Sequence, residues 1–270
     1  MIPETARKLL NLNARSYDTL ASAFSSTRRE PWPIMRSLAD QYIREGISVL
    51  DLGCGNGRFF PLVHANKAQY TGIDQSQGLI GKAPVVYPEG TWRVGDVTSQ
   101  LRMKNEELSK WGASGRGFDA IFSFAVLNHI PTFELQKQVL ANAKSVLKPG
   151  GLLIMTNFNL WRLTLREKSV WKWILEKRKW SDADFYKKFG FAKNELGLSD
   201  VLTCWSSFAK ATKDRPGGSK EAWLYYHAFT KNEIARLAKE SGLELIDFYW
   251  ENNAQRSWWG KGRNSVAVLR

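Results

Sequence analysis

Hydrophobic and polar positions along the chain keep two periods and switch between them. Short apolar or β-branched runs at Val49–Leu52, Gln69–Asp74, Thr91–Val97, Phe118–Leu127 and Leu152–Phe158 predict strands. Helical patterns lie between them. The clearest spans Glu134–Leu147, where Leu135, Val139, Leu140, Ala143, Val146 and Leu147 recur at helical spacing. Strand–helix alternation of this kind predicts an α/β fold, a doubly wound and mostly parallel sheet with helices on both faces. Near the end, Thr230-Lys231-Asn232-Glu233 reads as a capping box opening a helix that Gly242 closes. Leu245–Trp250 and Ser265–Leu269 follow as a sixth and seventh strand, close enough in sequence to form an antiparallel hairpin on the sheet edge.

From Leu160 to about Ala222 the alternation stops. Trp161–Trp180 reads as helical and basic, with Arg162, Arg166, Lys168, Lys172, Lys177, Arg178 and Lys179 against only Glu167 and Glu176. Four tryptophans interleave with these charges. The polar stretch Ser206–Lys220 reads as an exposed loop. The expected organisation is one domain over 1–270. An N-terminal helical extension covers 1–47, a ligand-binding core 48–159, a basic Trp-rich insertion 160–222, and a helix with a hairpin 223–270.

Composition narrows the class. With 43% apolar and 24% charged residues among 270, the chain has ordinary globular usage and can bury a substantial core. No run approaches the roughly 18 apolar residues of a membrane span, and the first residues lack the pattern of a secretory leader. Cys54 and Cys204 give neither a disulfide framework nor a metal-ligand cluster, so a reduced cytoplasmic protein without a structural metal is expected. The net charge of +13 and the 12 Trp change the picture more, because a positive field beside exposed aromatics suits a polyanion whose bases can stack.

The candidate chemistry begins at SVLDLGCGNGRFF, Ser48 to Phe60. Gly53, Gly55 and Gly57 alternate directly behind the first strand, so a ligand can approach the backbone closely. The spacing is Gly-x-Gly-x-Gly, not the Gly-x-Gly-x-x-Gly of the dinucleotide fingerprint. Asp51, Asp74 and Asp96 stand at the ends of three successive strands. An acid at the second strand tip can accept from both ribose hydroxyls. Asp96 can accept from an adenine amino group while Val97 offers a backbone N–H. Together they describe an adenosine lying across the carboxyl ends of the strands.

These motifs resemble the class I S-adenosylmethionine-dependent methyltransferases, with their Rossmann-like seven-stranded sheet. The matching pieces are VLDLGCGNG, GID at Gly72–Asp74, GDV at Gly95–Val97, FDAIFSFAVLNHI at Phe118–Ile130 and LKPGG at Leu147–Gly151. The resemblance implies S-adenosyl-L-methionine as cofactor, held by Asp51, Gly53, Cys54, Gly55, Asn56, Gly57, Asp74, Asp96, Val97, Phe124 and Ala125. Asp51 would take up the methionine ammonium. Cys54 itself reads as a small structural residue of the loop, and His64 as a helix-surface imidazole.

The flanks resemble a narrower family, the tRNA wobble-uridine carboxyl methyltransferases. The matches are Tyr17-Asp18, Phe24-Ser25, Thr27-Arg28, Trp32-Pro33, Tyr225–His227 and Trp258–Trp259. Leu224 stands where that family has Arg, and Glu30 follows Arg29. The resemblance implies methyl transfer to the carboxylate of 5-carboxymethyluridine at tRNA position 34. It also implies tRNA as partner, and eukaryotic members use a small zinc-binding activating protein.

A carboxylate is already ionised at neutral pH, so alignment and water exclusion can carry such a reaction without a strong base. The candidate catalytic residues are His129, Tyr226 and His227; the candidate substrate or tRNA contacts are Tyr17, Arg28, Trp32, Tyr225 and Trp258. Some have a plainer alternative: His129 as a helix cap, the Tyr-Tyr-His run as core packing before a helix, Trp32 as a buried helix-start aromatic. A small-molecule methyltransferase and a non-catalytic RNA-binding relative are the other functions compatible with the pattern.

Overall fold

The computed structural model describes residues 1–99, 117–162, 186–204 and 222–270. Two helices come first, α1 (Pro3–Thr27) and α2 (Pro33–Tyr42), each with Pro in its first turn, where the missing N–H costs no helical bond. The core then alternates: β1 (Ser48–Leu52), α3 (Phe60–Ala65), β2 (Gln69–Asp74), α4 (Gln77–Ile80), α5 (Ala83–Val86), β3 (Thr91–Val94) and β4 (Phe118–Phe124). After a 3-10 turn at Leu127–His129 come α6 (Phe133–Val146) and β5 (Leu147–Phe158). β6 (Asp200–Cys204) and β7 (Trp223–His227) precede α7 (Lys231–Glu240), β8 (Leu245–Asn252), β9 (Gln255–Ser257) and β10 (Asn264–Leu269).

The main sheet runs β3-β2-β1-β4-β5-β10-β8-β9. The first five strands are parallel, and β10, β8 and β9 join antiparallel. This is the doubly wound fold expected, with short β9 added as an eighth strand. The chain order reverses direction between β1 and β4, and in such sheets ligands bind outside the carboxyl ends at that switch. β1 is buried at every position because it has a strand on either side and helices on both faces. One core packs α6 and α7 on the sheet through Phe118, Leu140, Val146 and Leu237; the opposite face packs α2 and α3 through Leu38, Phe59, Val63 and Phe122.

Tyr225 and Tyr226 are buried just before α7, as the plainer reading of the Tyr-Tyr-His run had it; they lie in β7, which pairs with β6 as a separate two-stranded sheet. The stretch 160–222 therefore contains a strand, Asp200–Cys204, whose partner lies beyond it. This small sheet, with α1 packed on it, encloses a third core containing Leu9, Tyr186, Val201, Leu224 and Tyr225. Its signal was masked because β6 and β7 are far apart in sequence and buried too fully to alternate. The helix expected at Trp161–Trp180 falls, beyond Arg162, outside the described residues, as does the loop at Ser206–Lys220.

The capping box is present as read. Thr230 Oγ1 accepts from the backbone N–H of Glu233, and Glu233 accepts from the backbone N–H of Thr230 at 2.8 Å.

Candidate active site

A cavity of about 700 Å³ lies at the carboxyl ends of β1, β2, β4 and β5, with residues of α1 and α2 in its lining. Its volume suits a ligand of nucleotide size with further space beside it. Asp18 secures α1 over the site: its Oδ1 accepts from Ser76 Oγ at 2.6 Å and from the Gly78 backbone N–H at 3.2 Å.

The glycine loop forms one wall. Gly53 has φ of +76°, and a Cβ there would lie 2.3 Å from Val126 Cγ2. Gly57, with φ of +80°, would place a Cβ 2.3 Å from the Trp92 ring, so this glycine serves packing beneath the loop. Gly53, Cys54 and Gly55 line the cavity, whereas Asn56 and Gly57 do not. Asn56 instead donates to the Arg28 carbonyl at 3.0 Å and so ties the loop to the end of α1. Burial pushes the Cys54 thiol well above its ordinary range, consistent with a structural residue.

Asp51 lies at the floor and is 2% exposed. Burial pushes its carboxyl up to about 7, against the opposing effects of a hydrogen bond from Tyr70 and of the Arg58 guanidinium. Tyr70 donates to Asp51 Oδ2 at 2.8 Å. Burial also raises Asp74, against backbone N–H groups of Ser76 and Gly55 that donate at 2.8 and 2.9 Å. Val97, Phe124 and Ala125 line the cavity, and Ala125 holds φ of +58°, an uncommon backbone conformation for a residue with a side chain. Asp96 is exposed and outside the lining; its Oδ1 accepts from the backbone and hydroxyl of Thr98, both at 2.8 Å.

At the other end, Tyr226 donates to Tyr17, and Tyr17 donates to His129 Nε2 at 2.8 Å. His129 Nδ1 lies 2.9 Å from the Tyr225 carbonyl. A carbonyl only accepts, so Nδ1 carries a proton and Nε2 is the acceptor for Tyr17. Asn13 completes this floor, donating to the His129 and Tyr225 carbonyls at 3.1 and 3.2 Å. Burial pushes the Tyr17 hydroxyl above its ordinary value, so it stays protonated at neutral pH.

The structure thus brings Tyr17, Arg28, Trp32, His129 and Tyr226 to one cavity, together with the glycine loop and Asp51. It does not bring Tyr225, His227 or Trp258 there. Tyr225 is fully buried and donates to Asp200 at 2.6 Å. His227 lies between Asp200 and Glu233 at 3.2 and 3.3 Å. Burial opposes its charge, yet hydrogen bonds to those two carboxylates prevail and push it up to about 9. It is therefore a cation at neutral pH, suited to joining β7 to α7 rather than to accepting a proton. Trp258 is half exposed on the turn between β9 and β10, edge-on to Trp259.

Arg58 is the site residue that the motif reading passed over. Directly after the glycines, its guanidinium stacks on the Trp32 ring at 4.0 Å and is 8% exposed. A charged residue in an apolar stretch beside a ligand loop was the available signal. Val126, Ile130, Phe158 and Asn159 also line the cavity, which no local pattern announces.

Comparison with known proteins agrees with the fold. Residues 26–247 match the family described as "Methyltransferase domain". The chain belongs to this family. An Encephalitozoon cuniculi protein, provisionally named a methyltransferase, is 28% identical over 233 residues, covering 86% of this chain and 87% of that one. The tRNA (carboxymethyluridine(34)-5-O)-methyltransferase of Saccharomyces cerevisiae is 32% identical over 151 residues, 56% of this chain but only 49% of the yeast enzyme. Among solved structures, the DhpI–SAH complex superposes with a TM-score of 0.59 at 15% identity, covering 98% of this chain and 97% of that one. A Haloferax volcanii methyltransferase in complex with the Trm112 activator has a TM-score of 0.57 at 12% identity, covering 96% of each chain.

The residues present fit the S-adenosylmethionine that the motifs imply, a cofactor that the DhpI complexes carry as SAM or SAH. The cradle at Gly53 admits no side chain, a buried carboxylate lies at its floor, and a buried guanidinium nitrogen, Arg58 Nη1, has no hydrogen-bond partner. Asp51 suits the ammonium of the methionine end, and Asp74 the ribose hydroxyls. When bound, the cofactor supplies an electrophilic methyl group on a sulfonium.

Proposed function

We propose that this methyltransferase converts a carboxylate on the wobble uridine of tRNA, that of 5-carboxymethyluridine, to its methyl ester. The observation that carries the reading is the far end of the cavity, where Arg28 lies in the electrostatic reach of Tyr17 and Tyr226 beside a fully engaged His129. An alcohol or amide nucleophile needs a base to remove its proton, and both His129 nitrogens are already in hydrogen bonds. A carboxylate with an ordinary value near 4 needs none, but it does need a cation and a fixed direction of approach.

In this reading Arg28 orients the substrate carboxylate, and the Tyr226–Tyr17–His129 chain fixes the hydroxyls around it. Trp32 offers an aromatic face against which the uracil can stack. The +13 charge and two further arginines of the cavity lining, Arg162 and Arg263, favour an RNA over a small acid. The relatives whose names carry this substrate support the reading, although the match to the yeast enzyme covers about half of its length.

The proposal extends to a small activating protein. Among the described residues nothing pairs with the outer edge of β3, and Val94 there is 56% exposed, with exposed Val85 and Val86 on the neighbouring α5.

The test supplies the protein, with and without such an activator, with isotopically labelled S-adenosylmethionine and tRNA bearing the free acid. Label in the methyl ester of uridine 34 supports the reading. Label on small carboxylic acids, with none on tRNA, would replace it with a small-molecule activity. Salt-dependent RNA binding without transfer would leave an RNA-binding relative.

A further inference from the structure

Two guanidinium groups, Arg28 and Arg58, line the cavity. Arg58 is the more demanding of the two. It is more than nine-tenths buried, its Nη1 has no hydrogen-bond partner, and its described contacts are the faces of Trp32 at 4.0 Å and Phe24 at 5.8 Å. Aromatic faces attract a cation but leave its N–H donors unsatisfied. No acid lies within ion-pair distance of it among the described residues, and Arg28 repels it. A buried cation without an anion is costly, so this arrangement suits a protein whose bound state brings the anion.

The choice of anion follows from position. Arg28 has Tyr17 and Tyr226 as its electrostatic neighbours, at the end of the cavity assigned above to the substrate. Arg58 shares Tyr17 as a neighbour but has in addition an acid, Asp51, which Arg28 lacks among its electrostatic neighbours. Asp51 ends β1 and Arg58 precedes α3, so the two opposite charges bracket the glycine loop. An α-amino acid presents an ammonium and a carboxylate on a single carbon and needs opposite charges a few ångströms apart.

We propose that Arg58 binds the α-carboxylate of the methionine end of the cofactor, forming with Asp51 a two-charge clamp for the amino-acid moiety. The Trp32 ring, 4.0 Å from the Arg58 guanidinium, restrains the group while leaving Nη1 without a hydrogen-bond partner. The clamp also separates the two carboxylates of the proposed reaction: Arg58 takes that of the cofactor, and Arg28 remains for that of the substrate. The assignment rests on the cofactor and not on tRNA as the acceptor.

Calorimetry in the absence of any methyl acceptor tests it, which keeps it distinct from the substrate proposal. The probes are S-adenosylhomocysteine and 5′-methylthioadenosine, which keeps the nucleoside but lacks the amino acid. Arg58→Gln should weaken S-adenosylhomocysteine about 10- to 100-fold, as for a lost charge-assisted hydrogen bond, and change methylthioadenosine less than about threefold. Arg58→Lys should fall between. Unchanged S-adenosylhomocysteine affinity, or an equal loss for both probes, overturns the assignment. A measurement on the unaltered protein stands independently of the variants: decarboxylated S-adenosylmethionine should bind at least about tenfold more weakly than S-adenosylmethionine. Equal affinity overturns the proposal.

Discussion

Asp51 allows a quantitative test of how the site prepares for its cofactor. Burial pushes this carboxyl up to about 7, so in the ligand-free protein only about a tenth is ionised at pH 6 and about nine-tenths at pH 8. Its folded-state value lies above that of the unfolded chain. The ligand-free protein therefore loses stability as pH rises from about 4 through 7 and carries the full cost above that range. The ligand ammonium favours the ionised form, so affinity should move in the opposite direction to stability. S-adenosylhomocysteine should bind about tenfold more tightly at pH 8 than at pH 6, with proton release at the lower pH. Tyr70→Phe is the perturbation, since the Tyr70 hydroxyl donates to Asp51 at 2.8 Å. A hydrogen bond to a charged group is worth about 1.5–3 kcal/mol, which moves the carboxyl up by roughly one to two units. Affinity at pH 7.5 should then fall about 3- to 25-fold, and the midpoint of the pH profile should move upward. Titration calorimetry in buffers of different ionisation enthalpy reads both quantities. A flat profile in the unaltered protein, or the same midpoint in Tyr70→Phe, would refute the reasoning.

Three further outcomes follow from other parts of the fold. His227 is held charged up to about 9 by Asp200 and Glu233, so its stabilisation is complete below about pH 6.5 and is lost as pH rises through 9. The melting temperature should fall over that window, and His227→Asn should remove most of the slope while leaving S-adenosylhomocysteine affinity within about twofold. Gly53→Ala places a Cβ against Val126 in a left-handed backbone position. It should cost about 2–4 kcal/mol by chemical denaturation and abolish cofactor-induced thermal stabilisation; retained stabilisation would argue that the loop adapts. His129→Gln disturbs the bonds to Tyr17 and the Tyr225 carbonyl, and kcat should drop roughly 10- to 100-fold with S-adenosylhomocysteine affinity unchanged. An undiminished kcat would make His129 a packing residue.

Local chemistry explains which features were legible in the sequence. β1 and β2 are short, flanked by glycine or turn residues, and carry Asp51 and Asp74, which line the cavity, so strand and candidate site were read from the same residues. The capping box at Thr230 was legible because both partners lie within one turn. Tyr225 and His227 misled because a Tyr-Tyr-His run looks like a binding surface; only the pairing of β7 with β6 shows that they point to Asp200 and Glu233. Asp96 stood at the right distance along the chain, but the next residues turn its carboxylate onto Thr98. Arg58 was hidden by its neighbours: its setting comes from Trp32, the residue before α2 and distant in sequence, and from a buried nitrogen that only the assembled cavity reveals. The connection from Tyr226 through Tyr17 to His129 joins three distant segments, and no spacing rule encodes it.

The central claim concerns the acceptor, and nucleoside mass spectrometry of tRNA from cells lacking this chain tests it most directly. The account predicts that 5-carboxymethyluridine accumulates at position 34 as the free acid and that its methyl ester is lost, with restoration by the unaltered protein but not by Gly53→Ala. An unchanged ester at that position in the deletion strain would contradict it.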